Sequence, residues 1–398
     1  MKILIVVLSI LFSLIEVKAQ SKNTFKKDTT TYYVLATNGL NYRAKPWGKI
    51  LGKLAPLTKV KITERTGNLS SVKVNSNYIE GEWVGVKITE NSDTVYVFDG
   101  FLTKLQKRVE PKLYDFQSYH IKETNQYFGF IPLTDDASLY QYKTGEIIQK
   151  EFLGENEARR NIIKGNYRKI FLFKLGIKES DFIYIYNYFQ DKTLKIKVKD
   201  LTIVAEPNPY GVSDNVDEWE YIIGFSMRNK IAAKETDVYY RSFVGIGSQN
   251  PFAKGKLIPL IWNKVDKRKY SQETIEIIES LEKNKMESIE IFEFHYKHYT
   301  YFLRIQKNKE RYFQDPLITI VTDNKIVKTL VMGGGEGSSP TPLTFKESKQ
   351  YLMQWTGVLL KNRNPVIFGL SYQSFGCEGI HFLNEKEKSI YVLCDNRH

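Results

Sequence analysis

From residue 31 to residue 106 apolar and polar positions alternate in short runs: Tyr33-Val34-Leu35, Leu40-Asn41-Tyr42, Val60-Lys61-Ile62, Val72-Lys73-Val74, Trp83-Val84-Gly85-Val86 and Val95-Tyr96-Val97. Gly, Pro, Asn and Ser lie between them. Strand-length segments with turn residues roughly every ten positions predict a small antiparallel barrel or sandwich. The alternation continues through residues 107–398. Asp181 to Phe189, the turn Gln190 to Thr193 and Leu194 to Lys199 read as a hairpin whose second strand points Lys195, Lys197 and Lys199 to a solvated side, and Leu194, Ile196 and Val198 to the other. Ser288 to Tyr296 with Tyr299 to Gln306, and Leu317 to Val321 with Lys325 to Val331, read as further hairpins. Ser271 to Lys285 reads as a helix, with Ser271 as N-cap and Ile275, Ile278 and Leu281 on one stripe. No repeat of fixed period stands out, although a propeller-like set of hairpins fits the pattern. The expectation is a mainly β chain: a small N-terminal barrel, then a larger β-rich domain with few helices.

The segment Gly39-Leu40-Asn41-Tyr42-Arg43-Ala44-Lys45-Pro46 resembles the signature strand of bacterial SH3 domains. Later features follow in that family's order: Lys49 to Leu54 with Thr58 to Ile62, then Glu82-Trp83-Val84-Gly85-Val86, then Val95 to Phe98 leading to Phe101 to Leu105. The resemblance covers residues 31–106 and implies an SH3-like barrel acting as a binding module. Leu57 departs from it, standing where the family usually has Gly before the third strand, and the insertion Ser76 to Glu80 lengthens a hairpin. Trp47 stands just past Pro46, where the family usually has a small polar residue. Trp47 and Arg43 are therefore candidate ligand anchors, with Tyr78, Trp83 and Tyr96 as further aromatic candidates. The competing reading is that Trp47 folds back to cover its own barrel.

Residues 1–19 have the layout of a secretory signal: Lys2, an apolar run from Ile3 to Phe12, and small residues at Val17 and Ala19, so cleavage is expected before Gln20. A retained anchor needs about 20 apolar residues, and Ser13 and Glu16 interrupt this run. Residues 20–30 are polar and aperiodic, as in a linker. The chain is expected to be exported to the periplasm or beyond, with no transmembrane anchor after cleavage. The 26 Tyr and 23 Phe strengthen the β expectation, because flat rings pack well on pleated surfaces. The net charge of +13 is concentrated early, residues 20–110 carrying 15 Lys and Arg against 8 Asp and Glu. Export argues against nucleic acid as partner and leaves cell-wall peptide, glycan or an envelope protein, unless the surplus Lys only keeps the surface solvated.

No residues mark a catalytic centre. Gly376-Cys377-Glu378-Gly379-Ile380 faintly resembles the nucleophile motif of the NlpC/P60 cysteine peptidases, but only 21 residues follow Cys377, too few for the His that the thiolate needs. Cys377 and Cys394 are the only cysteines, and they flank symmetrically a polar turn, Asn384 to Lys388, between two apolar runs. In an exported chain a disulfide across the base of that hairpin is expected. His295 and His298 have helical metal spacing in a segment that reads as strand and turn, so no metal and no cofactor are expected. The loop Gly333 to Pro342 lacks the Lys-Ser/Thr of a phosphate-binding loop and reads as a connector or a binding-loop tip. The expectation is a non-catalytic envelope-binding protein; the alternative is an envelope hydrolase that uses the SH3-like domain for targeting.

Overall fold

The computed structural model describes residues 30–74, 77–89, 92–105, 112–121, 126–134, 161–207, 221–228, 241–282, 288–307, 314–333, 337–348, 350–374 and 376–396. The expected signal and nearly all of the linker lie outside these residues. The chain divides into two compact units, residues 1–105 and 106–398, and is mainly β.

The first unit is a curled antiparallel sheet of β1 (Thr31–Val34), β2 (Leu40–Arg43), β3 (Ile50–Leu54), β4 (Lys59–Val74), β5 (Asn77–Lys87), β6 (Thr94–Phe98) and β7 (Leu102–Lys104). Its order is β3-β2-β6-β5-β4-β1-β7. Alternation decides its inside: Val34, Val60, Ile62, Val84, Val86 and Val97 are buried together, while their sequence neighbours face outward. The runs at Val60 and Val72, read above as separate strands, belong to the one strand β4, whose pairing with β5 shifts register between Ile62 and Glu64 and between Arg65 and Leu69. The second irregularity is held by polar contacts. Arg65 donates to Glu82 at 2.6 Å and to Asp99 at 3.1 Å, and the Gly67 N–H donates to Glu82 at 2.7 Å. Leu57 has φ 62°, the left-handed conformation that Gly adopts without strain.

Among the described residues, four larger antiparallel sheets of the second unit stack face to face through shared cores. Sheet one contains β9 (Gln117–Ile121), β10 (Gln126–Thr134), β11 (Asn161–Ile163), β14 (Thr202–Pro207) and β15 (Tyr221–Ser226), and sheet two β8 (Leu113–Asp115), β12 (Phe182–Asn187), β13 (Lys192–Lys197) and β16 (Ser242–Gly247). Sheet three contains β17 (Leu257–Pro259), β24 (Trp355–Gly357), β25 (Val366–Phe368), β27 (Gly379–Phe382) and β28 (Ile390–Tyr391). Sheet four is the meander β18 (Asn263–Lys264), β19 (Ser288–Tyr296), β20 (Tyr299–Lys307), β21 (Gln314–Thr322) and β22 (Lys325–Val331).

Strands that are apolar on both faces must lie in inner layers, since either face left in water would lose its burial energy. In β12, Ile183 and Ile185 pack toward sheet one while Tyr184 and Tyr186 pack toward sheet three. In β25, Val366 and Phe368 face sheet two while Ile367 faces sheet four beside Tyr301, Leu303, Ile318 and Ile320. The outer side of sheet four is covered by the helix α2 (Gln272–Glu282), whose Ile278 and Leu281 meet Ile291 and Phe302. Its expected continuation to Lys285 lies outside the described residues.

Three features differ from the sequence reading. Residues Gly165–Lys174 form a helix, α1, that alternation did not reveal. The turn of the β12–β13 hairpin falls on Tyr188 to Asp191, and Lys199 leaves the ladder in a 3-10 turn. Within the Gly333 to Pro342 loop, Ser338–Pro340 forms a strand, β23, paired with β26 (Ser371–Gln373), because the chain there runs beside a free edge that can take its backbone hydrogen bonds. Arg168 fastens α1 to the turn after β13. It donates twice to Glu179, at 2.7 and 2.8 Å, and to the carbonyls of Leu201 and Val198 at 2.7 and 2.9 Å. Arg168→Ala should lower stability by about 2 kcal/mol, because charge-assisted bonds are lost and two carbonyls lose their donor; a shift of the urea midpoint measures it.

Candidate functional site

On the outward face of the first unit, the sequence Lys45-Pro46-Trp47-Gly48 makes a tight turn closed by the Gly48 N–H donating to the Lys45 carbonyl at 2.8 Å. Pro46 presets the first central torsion, and Trp47 takes the second with φ 58°, a sign that a type II turn demands and that Gly normally supplies. A bulky residue held there costs on the order of 1 kcal/mol or more. The Trp47 ring stays 63% exposed and meets the Trp83 ring edge-on at 5.3 Å. Trp83 is only 6% exposed and packs on Phe98 at 5.8 Å. The Arg43 guanidinium lies 5.6 Å from the centre of the Trp83 ring and donates through Nη1 to the Gly48 carbonyl at 2.5 Å. Arg43 Nε and Trp83 Nε1 are both buried, and neither has a hydrogen-bond partner among the described residues.

Pairing explains why these side chains share a face. Arg43 stands opposite Tyr96, Tyr96 opposite Gly85, and Trp83 opposite Phe98, one residue out of step with the core valines. The Tyr96 hydroxyl donates to Glu64 across Gly85, where any side chain would collide with the Glu64 methylenes. The bond to Glu64 raises the Tyr96 pKa. Of the five sequence candidates, Arg43, Trp47, Trp83 and Tyr96 come together; Tyr78 does not. It lies five residues up β5 on the opposite side of the strand, 66% exposed, with the Lys73 ammonium 6.0 Å from its ring. The exposed Ile50, paired with Arg43, and Leu51 complete the patch and were missed, since an apolar pair in an edge strand looks like any other strand pair.

In the second unit, Cys377 and Cys394 are joined, with Cα atoms 5.6 Å apart, so neither sulfur is free to act as a nucleophile. They sit beyond the open end of the β27–β28 ladder, in which Gly379 faces Tyr391 and Ile380 faces Ile390, Cys377 two residues before Gly379 and Cys394 three after Tyr391. The bridge holds a tail that extends sheet two: the Asp115 N–H donates to the Leu393 carbonyl at 2.8 Å and the Leu393 N–H to the Leu113 carbonyl at 2.9 Å. Beneath it lie two carboxyls that sequence reasoning did not single out, Asp115 and Glu378. Each residue keeps part of its surface open, yet both carboxyls are crowded by neighbours. Burial pushes Asp115 up to about 6, and burial together with the Asp115 charge pushes Glu378 up to about 7. Asp115 accepts from the Phe116 N–H and Glu378 from the Gly369 N–H, each at 2.8 Å. Tyr188, packed between Phe243, Trp355 and Phe368, feels both charges, and burial raises its hydroxyl pKa strongly.

A cleft of about 360 Å³ opens between the loop Gly247 to Pro251 and the turn Leu360 to Arg363. Among the described residues Lys112, Lys361 and Arg363 line it and no carboxylate does; Arg363 is held by Glu387 at 2.5 Å. His295 bonds Thr300 and the Tyr270 hydroxyl, and among the described residues no three His, Cys, Asp or Glu side chains gather at metal-binding spacing. No helix among the described residues is long and apolar enough to cross a membrane. Compared with family models, with curated proteins and with solved structures, the chain matches none.

Proposed function

We propose that this chain is an exported, non-catalytic binding protein of the cell envelope whose first unit is a bacterial SH3-type module. Its ligand, a wall peptide or glycan or an extended segment of an envelope protein, lies on the face built by Arg43, Trp47, Trp83 and Tyr96. The observation that carries this reading is Trp47: a large ring 63% exposed, on a turn torsion that favours Gly. Strain that Gly would relieve persists where a function requires the side chain. Rigid aromatics beside a guanidinium are what binding surfaces favour, because they add contact area at little cost in rotamer entropy. The signal-like residues 1–19 and the joined cysteines support export.

Trp47→Ala tests the assignment. Retention of the purified chain on envelope preparations should fall at least tenfold, which corresponds to about 1.4 kcal/mol. Stability should change by no more than about 1 kcal/mol, because an exposed ring has little burial to lose. A loss of about 3 to 5 kcal/mol, the cost of truncating a buried Trp, with retention unchanged, would make Trp47 a cover for its own barrel. Turnover of purified peptidoglycan by the chain would instead favour the hydrolase reading.

A further inference from the structure

We infer that the Trp47 face recognises a peptide carboxylate, which Arg43 Nε and Trp83 Nε1 hold together; this inference rests on the reading of that face as the binding surface. A buried N–H with no acceptor is costly, and here two belong to neighbouring side chains, the Arg43 guanidinium lying 5.6 Å from the centre of the Trp83 ring. Both are donors, so the missing partner is an acceptor. The guanidinium is already oriented, its Nη1 bound to the Gly48 carbonyl, which leaves the Nε edge of the fork turned to another group. That edge matches the two oxygens of a planar carboxylate, and the indole N–H supplies a further donor beside it.

The surrounding charge agrees in sign. Between Leu40 and Leu54 the chain carries Arg43, Lys45, Lys49 and Lys53 and no Asp or Glu. Exposed Trp47, Ile50 and Leu51 offer an apolar wall for the side chains next to the carboxylate. The Trp47 ring rests edge-on against Trp83 and is otherwise largely in solvent, so it can turn from Trp83 onto the ligand, uncovering the donors while it stays as part of the apolar wall. The carboxylate comes either from a chain terminus or from an acidic side chain within a segment; the chemistry of recognition is the same.

Three probes separate these sources: acetyl-Ala-Leu-Ala as free acid, the same peptide as its C-terminal amide, and acetyl-Ala-Leu-Glu-Ala amide. The purified chain, labelled with ¹⁵N at its tryptophan indoles, is titrated with each, and Trp83→Phe identifies the Trp83 resonance. The free acid, or the Glu-containing amide, or both, should move that resonance and bind at least tenfold more tightly than the plain amide, the pattern naming the source. Added salt should weaken that binding. Trp83→Phe removes the N–H and trims the buried indole, so it should abolish the tenfold preference at a modest cost in melting temperature; Arg43→Lys, which leaves the Trp83 indole in place, should abolish the preference as well. Equal binding of all three peptides, or no movement of the Trp83 resonance by any, overturns the carboxylate assignment. If Trp47→Ala still lowers envelope retention in that case, the binding face stands and only its ligand chemistry falls. Retention untouched by Trp47→Ala removes the face itself.

Discussion

Replacing Glu378 by Gln should stabilise the protein at pH 8 by on the order of 3 kcal/mol and at pH 5 by less than about 1 kcal/mol. Burial lifts this carboxyl from its ordinary 4.5 to about 7, so the fold prefers the protonated form. Its stabilising contribution is complete below the unfolded value and is lost as pH climbs through the folded one. Gln mimics the protonated acid at every pH and keeps an oxygen for the Gly369 N–H. Asp115→Asn should act in the same direction through its value of about 6, and the two changes should add to less than their sum, since the Asp115 charge itself raises Glu378. His381 runs the other way. Burial and then Lys328 lower its pKa, so its contribution is lost as pH falls below the ordinary histidine range. Urea midpoints of the variant and the parent at each pH cancel that background. A parent that loses no stability relative to Glu378→Gln between pH 5 and pH 8 would show that Glu378 is solvated and ionises freely.

Removing the Cys377–Cys394 bridge by double replacement with Ser should cost about 3 kcal/mol, the chain-entropy value for a loop closed over 17 residues. The loss should concentrate in the tail. Leu393 pairs with Leu113 and Asp115 along a free edge of sheet two and buries its side chain in the core between sheets one and two. With the bridge gone, residues 391–396 keep those bonds and that burial together with the Val392 N–H to the Glu378 carbonyl, the buried Val392 side chain, and the hydrogen bonds that Asp395 accepts from Tyr119 and Asn396 from the Gly376 N–H. Amide exchange at Leu393 should then quicken far more than exchange in β12. A urea midpoint shifted by less than 1 kcal/mol would mean that the tail is held by packing alone, and two titratable thiols in the unreduced parent would mean that the bridge does not form in the isolated protein.

Much of the strand inventory was legible in the sequence because alternation is a local property. The hairpins β19–β20 and β21–β22 fall within a few residues of where apolar periodicity and turn residues place them. The helix α1 was not legible. Its buried residues are the consecutive Ile170, Phe171 and Leu172, a run that looks like a strand and carries no helical stripe. Of the candidate site, the residue types at positions 43, 47, 83 and 96 could be read, but their meeting could not. Tyr78 shows why: it belongs to the same strand as Trp83 and to the same class of side chain, and an odd separation of five residues sends it to the other side.

Local pattern was enough for most of the extended segments and for the pairing of Cys377 with Cys394, since these follow from the period of a strand and the symmetry of a hairpin, but not for the turn after β12, the unity of β4 or the helix α1. Long-range packing alone set the order of the four stacked sheets, because a strand apolar on both faces states that it is covered twice and not by what. It also decided the torsion of Trp47, the two donors left unpartnered on Arg43 and Trp83, and the burial that lifts Asp115 and Glu378. Those properties belong to the environment that distant segments create around a side chain, and no local pattern encodes them.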